Sequence, residues 1–427
     1  MSLSQTEESL PDFFHYVPRT VAPPSEVIRL YLTPTTGGAP VTGGGKVDYA
    51  IPCGTAGLHL DPTQTDFSFQ MNNNNAGQMT LDGGAHAVIQ SINVYFGSTH
   101  ISSIDDFGAL FAVIQDFSCD LDSLRSSGTV RGVVDYLPAA VATPANMKDA
   151  YYARNGATIA AGGSLMVALP LMCVLGTLAM KATPLSQLQD SNRLEVKCAM
   201  QTNWGTYADA ASALSRCTIS DTKLHISQVR LNGDIEKAMI ESIGGVIQCP
   251  TFDYEHSRST VAPNSGYISA QIPVRANSIC NIFIVLRESS VTNCFSRKMI
   301  LLRTKAGMEN YRFRVGSQVI PQAAINCTGS AAEARFELAR TIGSGVSDAA
   351  ARSSISAEEY LAGGYEVGFS LQAFPHTDAL SNGISTRSLH VVFGAKIAAN
   401  NPACYLDIWV QLEKVIVFQN GLLTYES

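Results

Sequence analysis

Charge is scarce in this chain. Charged residues fill 15% of its 427 positions, against roughly 25% in ordinary soluble proteins. The net charge is -7, and Lys and Arg form no cluster. That excludes an electrostatic hold on nucleic acid, which needs grouped cations to displace counterions. The ten cysteines include no CxxC pair, and the eight histidines show no H-x-H or H-x-x-x-H spacing. Zinc sites, thiol redox centres and the clustered ligands of a duplicated β-barrel metal enzyme therefore lack their usual residues. The cysteines read as buried thiols of a protein made in a reducing compartment. Met1 to Pro11 is polar and acidic, unlike a secretion signal.

Catalytic and phosphate-binding motifs are missing as well. Gly43-Gly44-Gly45-Lys46 superficially looks like a phosphate loop, but Pro40 stands where the earlier glycine belongs and Val47 replaces the Ser or Thr. No Gly-x-Ser-x-Gly elbow occurs, since Gly162-Gly163-Ser164 runs on into Leu165-Met166. Asp105-Asp106 could suggest an acid and base pair, but adjacent helical residues point about 100 degrees apart, and helix capping is the expected role. No catalytic, cofactor-binding or metal residue is assigned.

What the chain does contain is a repeat. Ile92, Val94 and Phe96 alternate with polar positions, Gly97-Ser98 interrupts, and Ile101 follows. Period two is a strand burying one face. Ser103-Ile104-Asp105-Asp106 then reads as a capping box opening a helix whose buried face is Phe107, Leu110, Phe111 and Ile114. The grammar returns at Tyr311, Phe313 and Val315, with Gly316-Ser317 as the break and Ile320 matching Ile101. Ser330-Ala331-Ala332-Glu333 is the second expected capping box, with Ala332, Phe336 and Ala339 as the apolar side.

Further pairings hold the same order at slowly drifting offset: Val27-Ile28 with Val246-Ile247, Lys46 to Pro52 with Tyr267 to Pro273, and Phe67 with Phe283. Ser164 to Val167 pairs with Ser388 to Val391, Leu194-Glu195-Val196 with Leu406-Asp407-Ile408, and Asn232-Gly233 with Asn420-Gly421. Insertions in surface loops change spacing without changing a framework. One β domain duplicated within the chain explains the pattern.

The expected organisation is an N-terminal arm over residues 1–25, a first β domain over 26–233, a helical linker over 234–245 and a second β domain over 246–427. The arm carries Phe13, Phe14 and Tyr16 among prolines, so it either docks on a surface or frays. Strands are expected at Val27 to Thr33, Lys46 to Ile51, Phe67 to Met71, Arg193 to Met200 and Lys223 to Leu231. Asn72 to Asn75 reads as a loop, and Ser118 to Asn155 and Gly343 to Ser356 as long exposed loops. Ala157 to Met180 is uncharged and long enough to span a bilayer as a helix. Its glycines, Pro170 and the alternation of Leu165, Val167 and Leu169 favour a strand followed by an irregular turn. Asp234 to Ile243 predicts a short helix ended by Gly244-Gly245. Later strands are expected near Val246, Tyr267, Ile282, Tyr311, Leu389, Tyr405 and Val415.

Three stretches, Leu81 to Gly97 with the helix beyond it, Leu169-Pro170-Leu171 through to Leu194-Glu195-Val196, and Tyr311 to Ser317 with Ile320-Pro321, resemble the double-jelly-roll major capsid proteins. That lineage includes adenovirus hexon and the coat proteins of tailless phages and virophages. The resemblance implies an all-β chain of two eight-stranded antiparallel jelly-roll sandwiches in tandem. It further implies a homotrimer that forms a pseudo-hexagonal capsomer of an icosahedral DNA virus, beside neighbouring capsomers. Minor capsid or penton proteins and an internal membrane would be met through the arm, with no cofactor and no sequence-specific nucleic acid binding. Its place would be the virion, after synthesis in the host cytoplasm or nucleus without secretion. Two rivals stay open: a non-catalytic two-domain carbohydrate- or receptor-binding protein, and a duplicated jelly-roll enzyme, which a bound metal would reveal.

Overall fold

The computed structural model describes residues 25–36, 40–81, 83–118, 130–132, 157–189, 193–202, 205–207, 217–289, 303–342, 355, 357–372, 383–419 and 421–426. The arm before Ser25, nearly all of the loop expected over Ser118 to Asn155, and the Gly343 to Ser356 loop apart from Ile355 lie outside them.

Among the described residues, besides six flanking strands of two to five residues, sixteen strands build the two sandwiches, eight in each half. In the first half they are β1 (Ser25–Leu32), β2 (Lys46–Ile51), β3 (Leu58–Asn73), β4 (Ile89–Phe96), β5 (Thr99–Asp105), β6 (Ser164–Pro170), β7 (Leu194–Met200) and β8 (Cys217–Leu231). In the second they are β9 (Ile247–Val261), β10 (Tyr267–Ile272), β11 (Ile279–Glu288), β12 (Asn310–Val315), β13 (Gln318–Asn326), β14 (Glu366–Ser370), β15 (Val391–Lys396) and β16 (Cys404–Gln419). The sheets run β1-β8-β3-β6 and β2-β7-β4-β5 in the first half, then β9-β16-β11-β14 and β10-β15-β12-β13 in the second, all antiparallel. Each strand therefore has its counterpart eight places later. The chain is all-β, two eight-stranded jelly-roll sandwiches in tandem.

Alternation explains which faces are buried. In β2, Val47, Tyr49 and Ile51 are buried between partly open neighbours, and Tyr49 meets Phe67 of β3 edge to face at 5.8 Å. In the second sandwich Phe313 of β12 packs on Phe393 at 5.5 Å and on Phe369 of β14 at 5.4 Å. Each such ring contributes on the order of 2–3 kcal/mol by leaving water. The hairpins β4-β5 and β12-β13 turn at Gly97 and Gly316, with φ of 58° and 59°. Glycine occupies that region without the Cβ clash that other residues meet.

Among the described residues four α-helices complete the frame: α1 (Phe107–Ser118), α2 (Gly233–Ser242), α3 (Ala332–Thr341) and α4 (Ala357–Ala362). Helix α2 lies between the halves; Asn232 caps it by accepting from the Asp234 amide at 2.9 Å, and Gly244 and Gly245 leave it at φ of 77° and 78°. The uncharged run through Ala157 to Met180 holds β6 and then a compact turn. A Cβ at Gly176 would sit 1.8 Å from the Leu171 carbonyl oxygen, so this turn requires glycine. Among the described residues no helix is long and apolar enough to cross a membrane.

Several sequence expectations are corrected. Neither capping box forms. Ser103 lies within β5, and α1 starts after Asp106 in a left-handed conformation at φ 52°. Helix α3 starts after Ala331, also left-handed at φ 50° and without a side-chain cap, while Glu333 accepts from the Asn326 amide at 2.7 Å. Its buried side is Ala334, Leu338, Ala339 and Thr341; Ala332 and Phe336 face solvent. Asn72 and Asn73 continue β3, and Asn73 and Asn75 are buried and bonded to each other. Two repeat pairings join strands that do not correspond: β7 holds Leu194 whereas β16 holds Leu406, and β6 holds Ser164 whereas β15 holds Val391. Phe67 and Phe283 share corresponding strands but point oppositely. Phe67 faces its own sandwich, while Phe283 lies beside Trp409, on the face opposite Ile282 and Phe369.

Candidate functional site

Polar and charged side chains come together where the two halves meet. Strand β5 leaves its hairpin along the outer face of the second half, against β9 and β16. Ser102 donates its hydroxyl to Asp253 Oδ1 at 2.7 Å. Lys414 Nζ donates to Asp253 Oδ2 at 2.9 Å and to the Ile101 carbonyl at 2.5 Å. Trp409, fully buried and stacked on His256 with ring centres 5.0 Å apart, donates its indole N–H to the Asp105 carbonyl at 3.2 Å. Three backbone and side-chain groups of one strand are thus satisfied by the other half, as buried polar atoms must be.

Beyond β5 lies an ion cluster in which Arg287 and Asp407 are buried, Asp106 and His256 half-buried and Arg258 open to solvent on one side. Asp106 Oδ2 accepts from Arg258 Nη2 and Arg287 Nη2, each at 2.5 Å. Asp407 Oδ1 accepts from Arg258 Nε at 2.6 Å and His256 Nε2 at 3.0 Å, and its Oδ2 from Arg287 Nε at 2.7 Å. Burial alone would push the Asp407 carboxyl up. The Arg287 guanidinium, helped by His256 and Arg258, overrides burial and holds it well below the usual carboxylate range. Two guanidiniums balance two carboxylates here.

Asp106, His256 and Asp407 bring one ligand atom each within 4.8 Å of one another. Guanidinium N–H groups already occupy Asp106 Oδ2 and both Asp407 oxygens, so these residues suit a clamp better than a cation site. Helix capping, the role expected of Asp105-Asp106, is not what either side chain does. Asp105 Oδ1 accepts from Ser103 at 3.3 Å, and Asp106 spans the halves.

Other contacts extend the seam. Arg303 Nη1 lies 2.8 Å from Asp116 on α1 and 2.5 Å from Glu366 on β14. Phe117 meets Tyr360 of α4 edge to face at 6.1 Å, and Tyr360 donates to the Glu366 carbonyl at 2.6 Å. The turn after β6 pairs with β9: the Phe252 amide donates to the Leu178 carbonyl at 3.0 Å, and the Met180 amide to Pro250 at 3.1 Å. Glu236 of α2 anchors the linker on the first half, accepting from the Gly57 amide at 2.6 Å and from Ser186. Near this seam His86 is buried against Phe111, ring centres 5.2 Å apart, with no hydrogen-bond partner among the described residues. Burial, with Arg303 and Arg131 adding to it, pushes its pKa down to about 3.

The other motif residues do not converge on the seam. Gly43 to Gly45 form the turn before β2, and the eight cysteines among the described residues are all buried. Burial pushes the thiols of Cys249, Cys280 and Cys327 up to about 11 and those of Cys173 and Cys404 to about 12.

This architecture defines a class: two jelly rolls locked side by side by a buried seam. No protein-family model matches the chain, and no curated protein sequence matches it. Solved structures do. The chain is similar to VP54 of PBCV-1, described as fitted into a reconstruction of the virophage Sputnik, at 11% identity over 97% of this chain and 99% of that one, with a TM-score of 0.67. It is similar to the Faustovirus major capsid protein at 8% identity over 95% and 92%, TM-score 0.61. A chain of the Sputnik virophage structure matches at 10% identity over 95% and 89%, TM-score 0.60. The chain shares their fold.

Proposed function

We propose that this chain is the structural major capsid protein of an icosahedral DNA virus, without enzymatic activity. Three copies form a pseudo-hexagonal capsomer, and capsomers tile the shell. The observation that carries the reading is the seam: one half presents its β5 corner to the outer sheet of the next, and two like units held rigidly side by side make one third of a six-unit ring. Likeness of fold to capsid proteins over nearly the whole chain supports it.

In this reading the functional units are the arm of residues 1–25, the jelly rolls of 26–233 and 246–427, and the linker of 234–245. The arm faces inward, toward a membrane or a minor capsid or penton protein. The low surface charge suits faces that lie against neighbouring capsomers, since interface cores are depleted in Lys and Glu. Its place is the virion, after synthesis in the host cytoplasm or nucleus. Light scattering of the purified protein, followed by imaging, tests this: trimers that pack into hexagonal sheets or shells are expected, and a chain that stays monomeric at every concentration overturns it.

A further inference from the structure

We infer that the outer face of the β1-β8-β3-β6 sheet is the seat for the β13 corner of a second copy of this chain. The inference rests on the capsomer reading and names the surfaces that reading needs.

Within one chain, the β5 corner of the first half covers the outer face of β9-β16-β11-β14, where Trp409 and Asp407 are sealed. The corresponding face of the first half is open. Val27 is 60% exposed, Tyr31 63% and Met166 52%. Tyr31 stands edge-on to His225 at 4.6 Å, beside an open groove of about 690 Å³ also lined by Ser68, Met166, Ala168 and Lys223.

The corner that would fill it is equally incomplete. Ile101 and Ser102 of β5 are each 1% exposed because the second half covers them. In the second half's hairpin, where 321–324 bulge from the ladder between the Phe313–Ile320 and Tyr311–Ile325 pairs, Ile320 and Pro321 of β13 are only half-buried, and Gln322 and Ala323 are exposed. A sheet face on one half and a corner on the other, each lacking what its counterpart has found within the chain, form a donor and an acceptor. Such a head-to-tail contact closes a ring when the rotation allows, and with two like halves per chain three copies supply six units.

The two seams differ in chemistry. Left-handed Asp106 becomes left-handed Ala331 at the entry to the second helix, so the carboxylate of the ion cluster has no equivalent there. The contact between copies sets Val27, Tyr31 and Met166, with Arg29, Lys223 and His225 beside them, against Ile320, Pro321 and Ala323.

Two variants of the full chain test this, Tyr31→Arg on the seat and Ala323→Arg on the corner, each checked for folding by its thermal melt and weighed by light scattering. Each is expected to fall from the wild-type ring to a monomer. Mixed in equal amounts they should form a two-chain species, because the intact corner of the first fits the intact seat of the second. A folded Tyr31→Arg chain that keeps the wild-type ring mass overturns the inference and hands the face to another occupant, such as the arm of residues 1–24. A mixture that stays monomeric overturns the pairing of these two surfaces. Should either variant fail to fold, hydrogen exchange on the wild type replaces it: slower exchange at β1 and at 319–324 in the ring than after dilution is expected, and equal rates overturn the inference. A monomeric wild type would overturn the capsomer reading itself.

Discussion

Ile101 and Ile320 each stand four residues after the glycine that turns their hairpin, one sealed in a bulge of β5 and the other half-open and paired with Phe313. The same asymmetry separates the two outer sheet faces, with Trp409 buried on one and Tyr31 exposed on the other. A duplicated fold gives each half the same corner and the same face, but a single chain can join only one corner to one face. The joined pair holds an ion cluster, hydrogen bonds and a buried indole; the unjoined pair leaves Val27, Tyr31 and Met166 exposed among polar side chains and has Ala331 where the joined pair has Asp106.

Breaking the joined pair should cost most. Asp407→Ala leaves buried Arg287 with Asp106 alone and takes the acceptor from His256 and Arg258 Nε, and breaking such a buried pair costs about 3 kcal/mol or more. Chemical denaturation should show that loss, whereas Tyr31→Ala on the corresponding open face, measured on dissociated chains, should stay within about 0.5 kcal/mol. Equal effects at the two positions would remove the distinction between the faces.

Acid should act next. Folding lowers the proton affinity of His86, while the unfolded ring takes up a proton near its ordinary value of 6.5. Stability is therefore full above that pH and falls by about 1.4 kcal/mol per unit below it, roughly 2 kcal/mol by pH 5. Asp407 adds its own loss lower down, since a depressed carboxyl stabilises above roughly pH 4 and ceases to as pH falls further. Denaturation midpoints of His86→Leu should lose the first slope and keep the second.

Lys414→Met removes the donor to Ile101 and one donor to Asp253, which keeps Ser102 and the Tyr254 amide. About 1–3 kcal/mol is expected by the same denaturation assay. The smallest change is Phe336→Ala: the ring is exposed and lies under the Arg340 guanidinium, 4.4 Å from its centre, so a loss of about 0.5 kcal/mol should be seen.

Much of this frame is legible in the alternation of apolar residues. Lys46 to Ile51 emerges as one strand over its full length, and the Gly-Ser breaks at 97 and 316 mark corresponding hairpins. Alternation does not say which sheet a strand joins, and so Leu194-Glu195-Val196 looked like Leu406-Asp407-Ile408 while the two stand in different sheets. It also cannot tell a face packed inside its own sandwich from one packed on the other half, which is why Phe67 and Phe283 looked equivalent. Strand β14 escaped notice because Glu366 and Gly368 interrupt its apolar run, and both are there for neighbours: Glu366 for Arg303, and Gly368 because a Cβ would come within 2.8 Å of Leu338.

The seam was the least legible part. Ser103 and Asp106 have the spacing of a capping box, and only the arrival of Arg258 and Arg287 from far along the chain gives Asp106 its work. One sequence signal could have found it. Asp407 sits in an apolar strand beside Trp409, and a carboxylate in such a place needs a cation.

Cryo-electron microscopy of the purified assembly tests the central claim most directly. The account predicts a closed ring of six lobes, in which the turn from first to second half within a chain and the turn from second half to the next chain's first half are both about 60°, with β13 lying on β1 and β8 of the neighbour. A two-fold dimer, or a ring in which β13 faces solvent, would contradict it.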